Sequence, residues 1–299
     1  HRDLHSFPTR RSSDLLRLVG GNTCWHGRRG TADYEPWFPA MQQAGWNWGR
    51  IWMAPWAFGI ETAGPERLNY RQDRAWQLDR VLDLAAGHGL RLLLCLDYHG
   101  MFAIEPDAWG GNNHWPRHPY HTASGGPCTK PLDFFTQAAA EDLYRQRLRY
   151  LVGRYGAHPA LFAWQFFNEI DNVYGVLEPG AVARWHARMG RWLKEQDPWG
   201  GLVTTSLTGG SDRSEIWTLP EMDFAVYHSY NEVDPAARLS AVVGSMRTRY
   251  RKPVLVGEAG VDWRGWGGAS DPFLRGFRQL LWSGGRVLGT RAGRCSPGG

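Results

Sequence analysis

Short apolar runs alternate with longer stretches of helical amphipathic spacing along most of this chain. Apolar runs at residues 16–19, 47–53, 91–97, 161–168, 202–206, 224–227 and 254–257 read as strands. Between them, apolar positions recur at three- and four-residue steps over 34–44, 74–88, 134–155, 182–197, 235–250 and 272–282, and these predict helices. Residues 214–219 predict no more than a short helical turn. Leu92-Leu93-Leu94-Cys95-Leu96 is apolar at consecutive positions, as expected for a strand covered on both faces. Strand–helix repetition without a linker or an internal repeat predicts one α/β domain with a parallel sheet closed into a (β/α)8 TIM barrel.

Seven strand–helix units can be counted, and the eighth strand falls in text that carries no periodicity. Residues 286–299 are rich in Gly and Arg and read as an aberrant or truncated tail, so the barrel is expected to lack an intact eighth strand. Residues 1–15 likewise lack any pattern and resemble a translated sequencing adapter, a non-native segment. The folded domain is therefore expected over 16–285.

These ends change the reading of charge. The whole chain carries +5, of which residues 1–15 contribute +1 and residues 286–299 contribute +3, leaving a middle close to neutral. That balance gives no basis for a nucleic-acid or membrane partner, and no apolar run approaches the roughly 20 residues that span a bilayer. Cys24, Cys95, Cys128 and Cys295 are spaced neither as a disulfide framework nor as a zinc site.

Tryptophan is the compositional outlier, with 17 in 299 residues. Flat indole faces stack on sugar C–H faces and the ring N–H can meet a hydroxyl, so the ones beyond strand ends matter: Trp25, Trp52, Trp56, Trp109, Trp115, Trp263 and Trp266. The loop at 110–121 holds His114, His118 and His121. Pro116 and Pro119 prevent the helix that would align them, and no carboxylate or cysteine completes a zinc set, so a cleft-lining loop is expected and no metal.

In a (β/α)8 barrel, functional groups sit at the C-terminal ends of strands. The fourth strand runs into Asn168-Glu169 and the seventh into Glu258, each placing a carboxylate beyond an apolar run. Together with Arg50 in Trp48-Gly49-Arg50, His99 in Asp97-Tyr98-His99-Gly100 and His228-Ser229-Tyr230, these motifs resemble the retaining glycoside hydrolases of clan A, closest to the family 5 cellulase- and mannanase-like enzymes. The resemblance covers about residues 16–284, departs at Ala259, where relatives often have an aromatic residue, and lacks the tryptophan that relatives supply from strand eight.

The resemblance implies an enzyme that cleaves β-linked glycans by double displacement, with Glu258 as nucleophile and Glu169 as general acid/base. Arg50, His99, Asn168, His228, Tyr230, Trp25, Trp263 and Trp266 are the expected substrate-binding residues. It implies an oligo- or polysaccharide substrate, no cofactor, and an extracellular or periplasmic setting. The competing expectation is a barrel that binds carbohydrate without turnover.

Overall fold

The computed structural model describes residues 17–64, 69–106, 111–208, 214–230, 232 and 234–260. The expected helix at 272–282, the tail, the eighth strand, Trp109, Trp263 and Trp266 lie outside them.

Seven parallel strands alternate with helices: β1 (Gly20–Asn22), α1 (Tyr34–Gln43), β2 (Trp48–Trp52), α2 (Gln72–Gly87), β3 (Arg91–Tyr98), α3 (Pro131–Thr136), α4 (Ala138–Tyr155), β4 (Leu161–Asn168), α5 (Pro179–Gln196), β5 (Leu202–Thr204), α6 (Ser214–Trp217), β6 (Ala225–Tyr230), α7 (Pro235–Tyr250) and β7 (Val254–Gly260). Strands β1 to β5 pair in chain order, and β6 pairs with β7. The Asp223 N–H donates to the Val203 carbonyl at 2.8 Å, joining the β5 side to the chain entering β6. Asn22 Nδ2 donates to the Gly257 carbonyl at 2.9 Å, which brings β1 against β7. The strands thus curl round a common interior in the α/β barrel order that the sequence predicts.

Two layers of side chains fill the space around the sheet. Outside, the helices present their apolar faces: α5 buries Val182, Trp185, Met189 and Leu193, and Trp185 sits among Phe134, Tyr144, Phe166 and Phe167. Each large apolar side chain removed from water here is worth about 1.5–3 kcal/mol. Inside the barrel, Trp48, Leu93, Ala163, Phe224 and Val226 form a separate small cluster. Two residues further along four of these strands stand Arg50, Cys95, Gln165 and His228. Because a strand returns to the same face every second residue, the interior changes from apolar to polar on moving toward the C-terminal ends.

Several element boundaries differ from the sequence reading, four of them with a structural consequence. The first strand is not the apolar run 16–19 but Gly20–Asn22, paired with Trp48–Arg50. A side chain on Gly20 would overlap the Trp48 carbonyl, so the close pairing selects glycine where hydrophobicity alone selects the residues before it. The expected single helix over 134–155 is two, separated by Gln137 with extended backbone (φ −91°, ψ 130°). Strands six and seven run further than their apolar cores, so that His228, Tyr230 and Glu258 lie within strands rather than beyond them. A register shift between Tyr227 and His228 sets His228 opposite Glu258, the local kink a bulge gives an otherwise regular ladder.

Gly20→Ala should therefore cost about 1–3 kcal/mol in urea denaturation. Gly21→Ala, whose new methyl would meet the outer edge of the Trp46 ring at 3.1 Å, should cost clearly less. Equal losses would show that the β1–β2 approach is not what requires glycine.

Candidate active site

Arg50 stands at the centre of the C-terminal end of the barrel and is fully buried. A guanidinium has five N–H donors, and here each has an acceptor. Nε donates to Gln165 Oε1 at 2.8 Å. Nη1 donates to Asn22 Oδ1 at 3.3 Å and to Glu258 Oε1 at 2.5 Å. Nη2 donates to Asn168 Oδ1 at 2.8 Å and to Ser206 Oγ at 3.4 Å. The guanidinium also lies 5.1 Å from the centre of the Trp52 ring. Strands β1, β2, β4 and β7 and the end of β5 thus converge on one cation.

Glu258 is the one carboxylate in this set. Its second oxygen accepts from the Tyr230 hydroxyl at 2.6 Å, and His228 Nδ1 is 3.7 Å from the first. Burial works against its charge, but His228, Arg50 and the hydrogen bonds from Tyr230 and Arg50 outweigh burial and hold the carboxyl well below the usual range. The Tyr230 hydroxyl, buried and facing that anion, is pushed far above its ordinary value.

Glu169 is held differently. Its Oε1 is 2.7 Å from His228 Nδ1, and its Oε2 accepts from Asn172 Nδ2 at 3.1 Å. Arg50 does not touch it among the contacts of the described residues. Its backbone is left-handed (φ 48°, ψ 49°), a conformation that costs a non-glycine residue on the order of 1 kcal/mol and recurs at functional sites. The Glu169 N–H donates to Ser206 Oγ at 3.2 Å and its carbonyl accepts from Asn172 N at 3.0 Å, so the turn is fixed on both sides. Donor atoms of Glu169, His228 and Glu258 all lie within 4.8 Å of one another.

Asn168 presents its side-chain oxygen to Arg50 and Ser206, and its amide nitrogen offers donors. His228 is fully buried, and a side chain on Gly257 would lie 3.1 Å from its Nε2. Glycine at 257 therefore leaves room first for the Val226 side chain, which an added carbon would meet at 2.5 Å, and then for the imidazole. His99 is buried against the Tyr98 ring, 5.6 Å between centres. Trp25 is in a neighbouring aromatic wall, 5.3 Å from Trp52 and 5.1 Å from Trp56, and the wall continues through Tyr98 to His114.

Of the residues singled out in the sequence, Arg50, Asn168, Glu169, His228, Tyr230 and Glu258 come together directly. Trp25 joins them through Trp52, and Trp263 and Trp266 lie outside the described residues. Gln165, Ser206, Asn22 and Asn172 escaped the sequence reading. Gln165 had left a signal, a lone amide inside the apolar run of β4.

The histidine loop separates into three unrelated roles. His118 is buried among Phe102, Trp115, Tyr120 and Phe134, and burial pushes its pKa down to about 3. His118 Nδ1 accepts from the Tyr120 N–H, His121 Nδ1 accepts from the Ala123 N–H, and His114 Nδ1 meets the Tyr98 hydroxyl at 2.6 Å. Only His114 borders the aromatic wall. Among the described residues, the group with cation-ligand geometry is Glu169, His228 and Glu258. A cation there would compete with Arg50 for Glu258 and with the hydrogen between His228 Nδ1 and Glu169.

No protein-family model matches the chain. The chain is 26% identical over 228 residues to mannan endo-1,4-beta-mannosidase F of Aspergillus clavatus, an alignment covering 67% of this chain and 48% of that protein. The endo-1,4-beta-mannanase of Rhizomucor miehei superposes with a TM-score of 0.64 at 17% identity, covering 82% of this chain and 77% of that one. The endo-beta-1,4-mannanase of Thermotoga petrophila gives 0.63 at 16% identity, covering 91% and 67%. The chain spans about half the length of the curated relatives it matches. These similarities support a protein like the family 5 glycoside hydrolases of clan A, and the structural neighbours show the TIM-barrel fold.

Arg50→Met would leave Glu258 buried without its cation and should cost about 3–5 kcal/mol near neutral pH, read by urea denaturation. A carboxyl held low in the folded state contributes stability above its unfolded value, and that contribution is lost as pH falls through the folded one. The gap between parent and Arg50→Met should therefore narrow as pH is lowered from 5 toward 2. A gap constant with pH would mean that the Arg50–Glu258 pair is not its source.

Proposed function

We infer that this barrel hydrolyses β-1,4-linked mannan with retention of configuration. The observation that carries the reading is the asymmetric carboxylate pair. The two carboxylates offer oxygens within 4.8 Å of one another, and only Glu258 is clamped by Arg50 and Tyr230. Retaining hydrolases need carboxyl groups about 5–5.5 Å apart, whereas inversion needs about 6.5–9.5 Å to admit a water. The mannosidase names of the relatives support mannan as the sugar.

In this mechanism Glu258, kept ionised by Arg50, attacks the anomeric carbon and forms a glycosyl-enzyme ester. Glu169 gives its proton to the departing glycosidic oxygen, then takes one from the water that cleaves the ester. His228 Nδ1 and Asn172 Nδ2 orient Glu169, and Tyr230 restrains the second oxygen of Glu258. The Asn168 amide donates to the sugar 2-hydroxyl, a bond that strengthens as positive charge develops at the ring. Trp25, Trp52 and Trp56 offer faces and edges against which neighbouring sugar units pack. A polymeric substrate places the work of such an enzyme outside the cytoplasm.

Glu258→Ala should abolish mannan hydrolysis, and azide should restore part of it on an aryl β-mannoside by attacking from the vacated face to give an inverted azide adduct. Glu169→Gln should lose mannan hydrolysis by about 10²–10⁴-fold yet still form the glycosyl-enzyme from substrates whose leaving group needs no proton. A full mannan rate in either variant refutes the assignment. Hydrolysis of β-1,4-glucan and not mannan by the parent would keep the chemistry and overturn the sugar.

A further inference from the structure

A serine just beyond β5 touches both Arg50 and the backbone of Glu169, and the mechanism above does not use it. Ser206 is fully buried, and its N–H donates to the Phe167 carbonyl at 2.9 Å, so pairing with β4 places it whatever its side chain. Three N–H groups approach its Oγ: Gln165 Nε2 at 2.9 Å, the Glu169 backbone at 3.2 Å and Arg50 Nη2 at 3.4 Å. The hydroxyl proton meets two acceptors, the Phe167 carbonyl at 3.3 Å and Asn168 Oδ1 at 3.4 Å.

A hydroxyl offers two lone pairs, so the three donors compete, and what each keeps elsewhere decides which of them depends on Ser206. Gln165 Nε2 also donates to the Phe167 carbonyl at 2.7 Å, and Arg50 Nη2 to Asn168 Oδ1 at 2.8 Å. The Glu169 N–H has Ser206 alone among the contacts of the described residues. It belongs to the residue with the left-handed backbone (φ 48°), a conformation that persists only where its surroundings over-determine it. The turn that follows is anchored separately. Asp171 accepts from Thr208 N at 2.9 Å and from Thr208 Oγ1 at 2.6 Å, and Ile170 is buried. Losing the hydroxyl would therefore free the Glu169 peptide and little else, and from that peptide the carboxyl reaches His228 and Asn172.

We propose that Ser206 is a positioning residue for the proton donor: its hydroxyl holds Glu169 in the left-handed turn that points the carboxyl at the leaving oxygen. Attack by Glu258 does not depend on it, because Arg50 keeps Gln165, Asn22, Asn168 and Glu258 without the serine. The role of Glu169 as proton donor rests on the function proposed above, whereas its placement by Ser206 does not.

The test is Ser206→Ala in the full chain, assayed on mannan and on aryl β-mannobiosides with leaving groups from phenol to dinitrophenol. On mannan, kcat should fall about 10–100-fold with KM little changed, as a shift on the order of 1 Å in a catalytic group produces. For the dinitrophenyl substrate, which needs no proton from the enzyme, kcat/KM should stay within about twofold of the parent. The dependence of kcat/KM on leaving-group acidity should steepen accordingly. In a Glu169→Gln background, adding Ser206→Ala should cost nothing further on the phenyl substrate, since residues that act through one another are not additive. No loss on mannan, an equal loss across all leaving groups, or a full further loss beside Glu169→Gln overturns the proposal. If the parent hydrolyses neither mannan nor the aryl series, the function fails, and crystal structures of parent and variant still decide the placement. Glu169 Oε1 must then leave His228 Nδ1 in Ser206→Ala, and an unmoved carboxyl refutes the role of Ser206. Should Ser206→Ala not fold, Ser206→Cys keeps only a weak acceptor. The same steepened dependence is then required, and a uniform loss refutes the proposal.

Discussion

Burying a guanidinium is costly unless acceptors meet its donors, and Arg50 is where that requirement organises this barrel. Five N–H groups find oxygens on Gln165, Asn22, Glu258, Asn168 and Ser206. These come from residues up to 208 positions away in sequence. Satisfying the cation therefore sets the register of several strands at once. Its rigid planar fork also fixes where each acceptor can stand, so the position of Glu258 follows from the geometry of Arg50 as much as from β7.

The two catalytic candidates are distinguished by what Arg50 touches and what it does not. Glu258 lies against the cation, and Glu169 lies one residue past Asn168, turned away by a left-handed backbone toward His228 and Asn172. A single step along the chain thus separates a residue that serves Arg50 from one held by His228 and Asn172 instead. The strain at Glu169 is offset by Ser206, which also accepts from Arg50. The same hydroxyl therefore serves both halves of the site.

Arg147 provides a contrast within one molecule. It faces two carboxylates, and its Nε is buried without a hydrogen-bond partner among the described residues. Around Arg50 charge and donors balance, and the arrangement is rigid. Around Arg147 one guanidinium nitrogen faces two carboxylates, so charge does not balance within the cluster. The first holds one carboxylate in a fixed place, and the second binds the end of β3 to α4.

The alternation of apolar runs with amphipathic stretches was enough to predict an α/β barrel, because burial on both faces of a strand and on one face of a helix leaves different periods in the sequence. Asn168-Glu169, Glu258 and Arg50 were legible for a related reason: charged residues next to strands with no room for unpaired charge must be paired or used. Three things were not legible. The first strand starts at Gly20, required for the close approach to the Trp48 backbone, which hydrophobicity does not record. Gln165, Ser206 and Asn22 are ordinary polar residues until Arg50 reaches them from another strand. The three histidines of one short loop were sorted into core, turn and cleft only by what each packs against. Local sequence determines period and chemistry, whereas a partner arriving from a hundred residues away is decided only when the strands close around a shared interior.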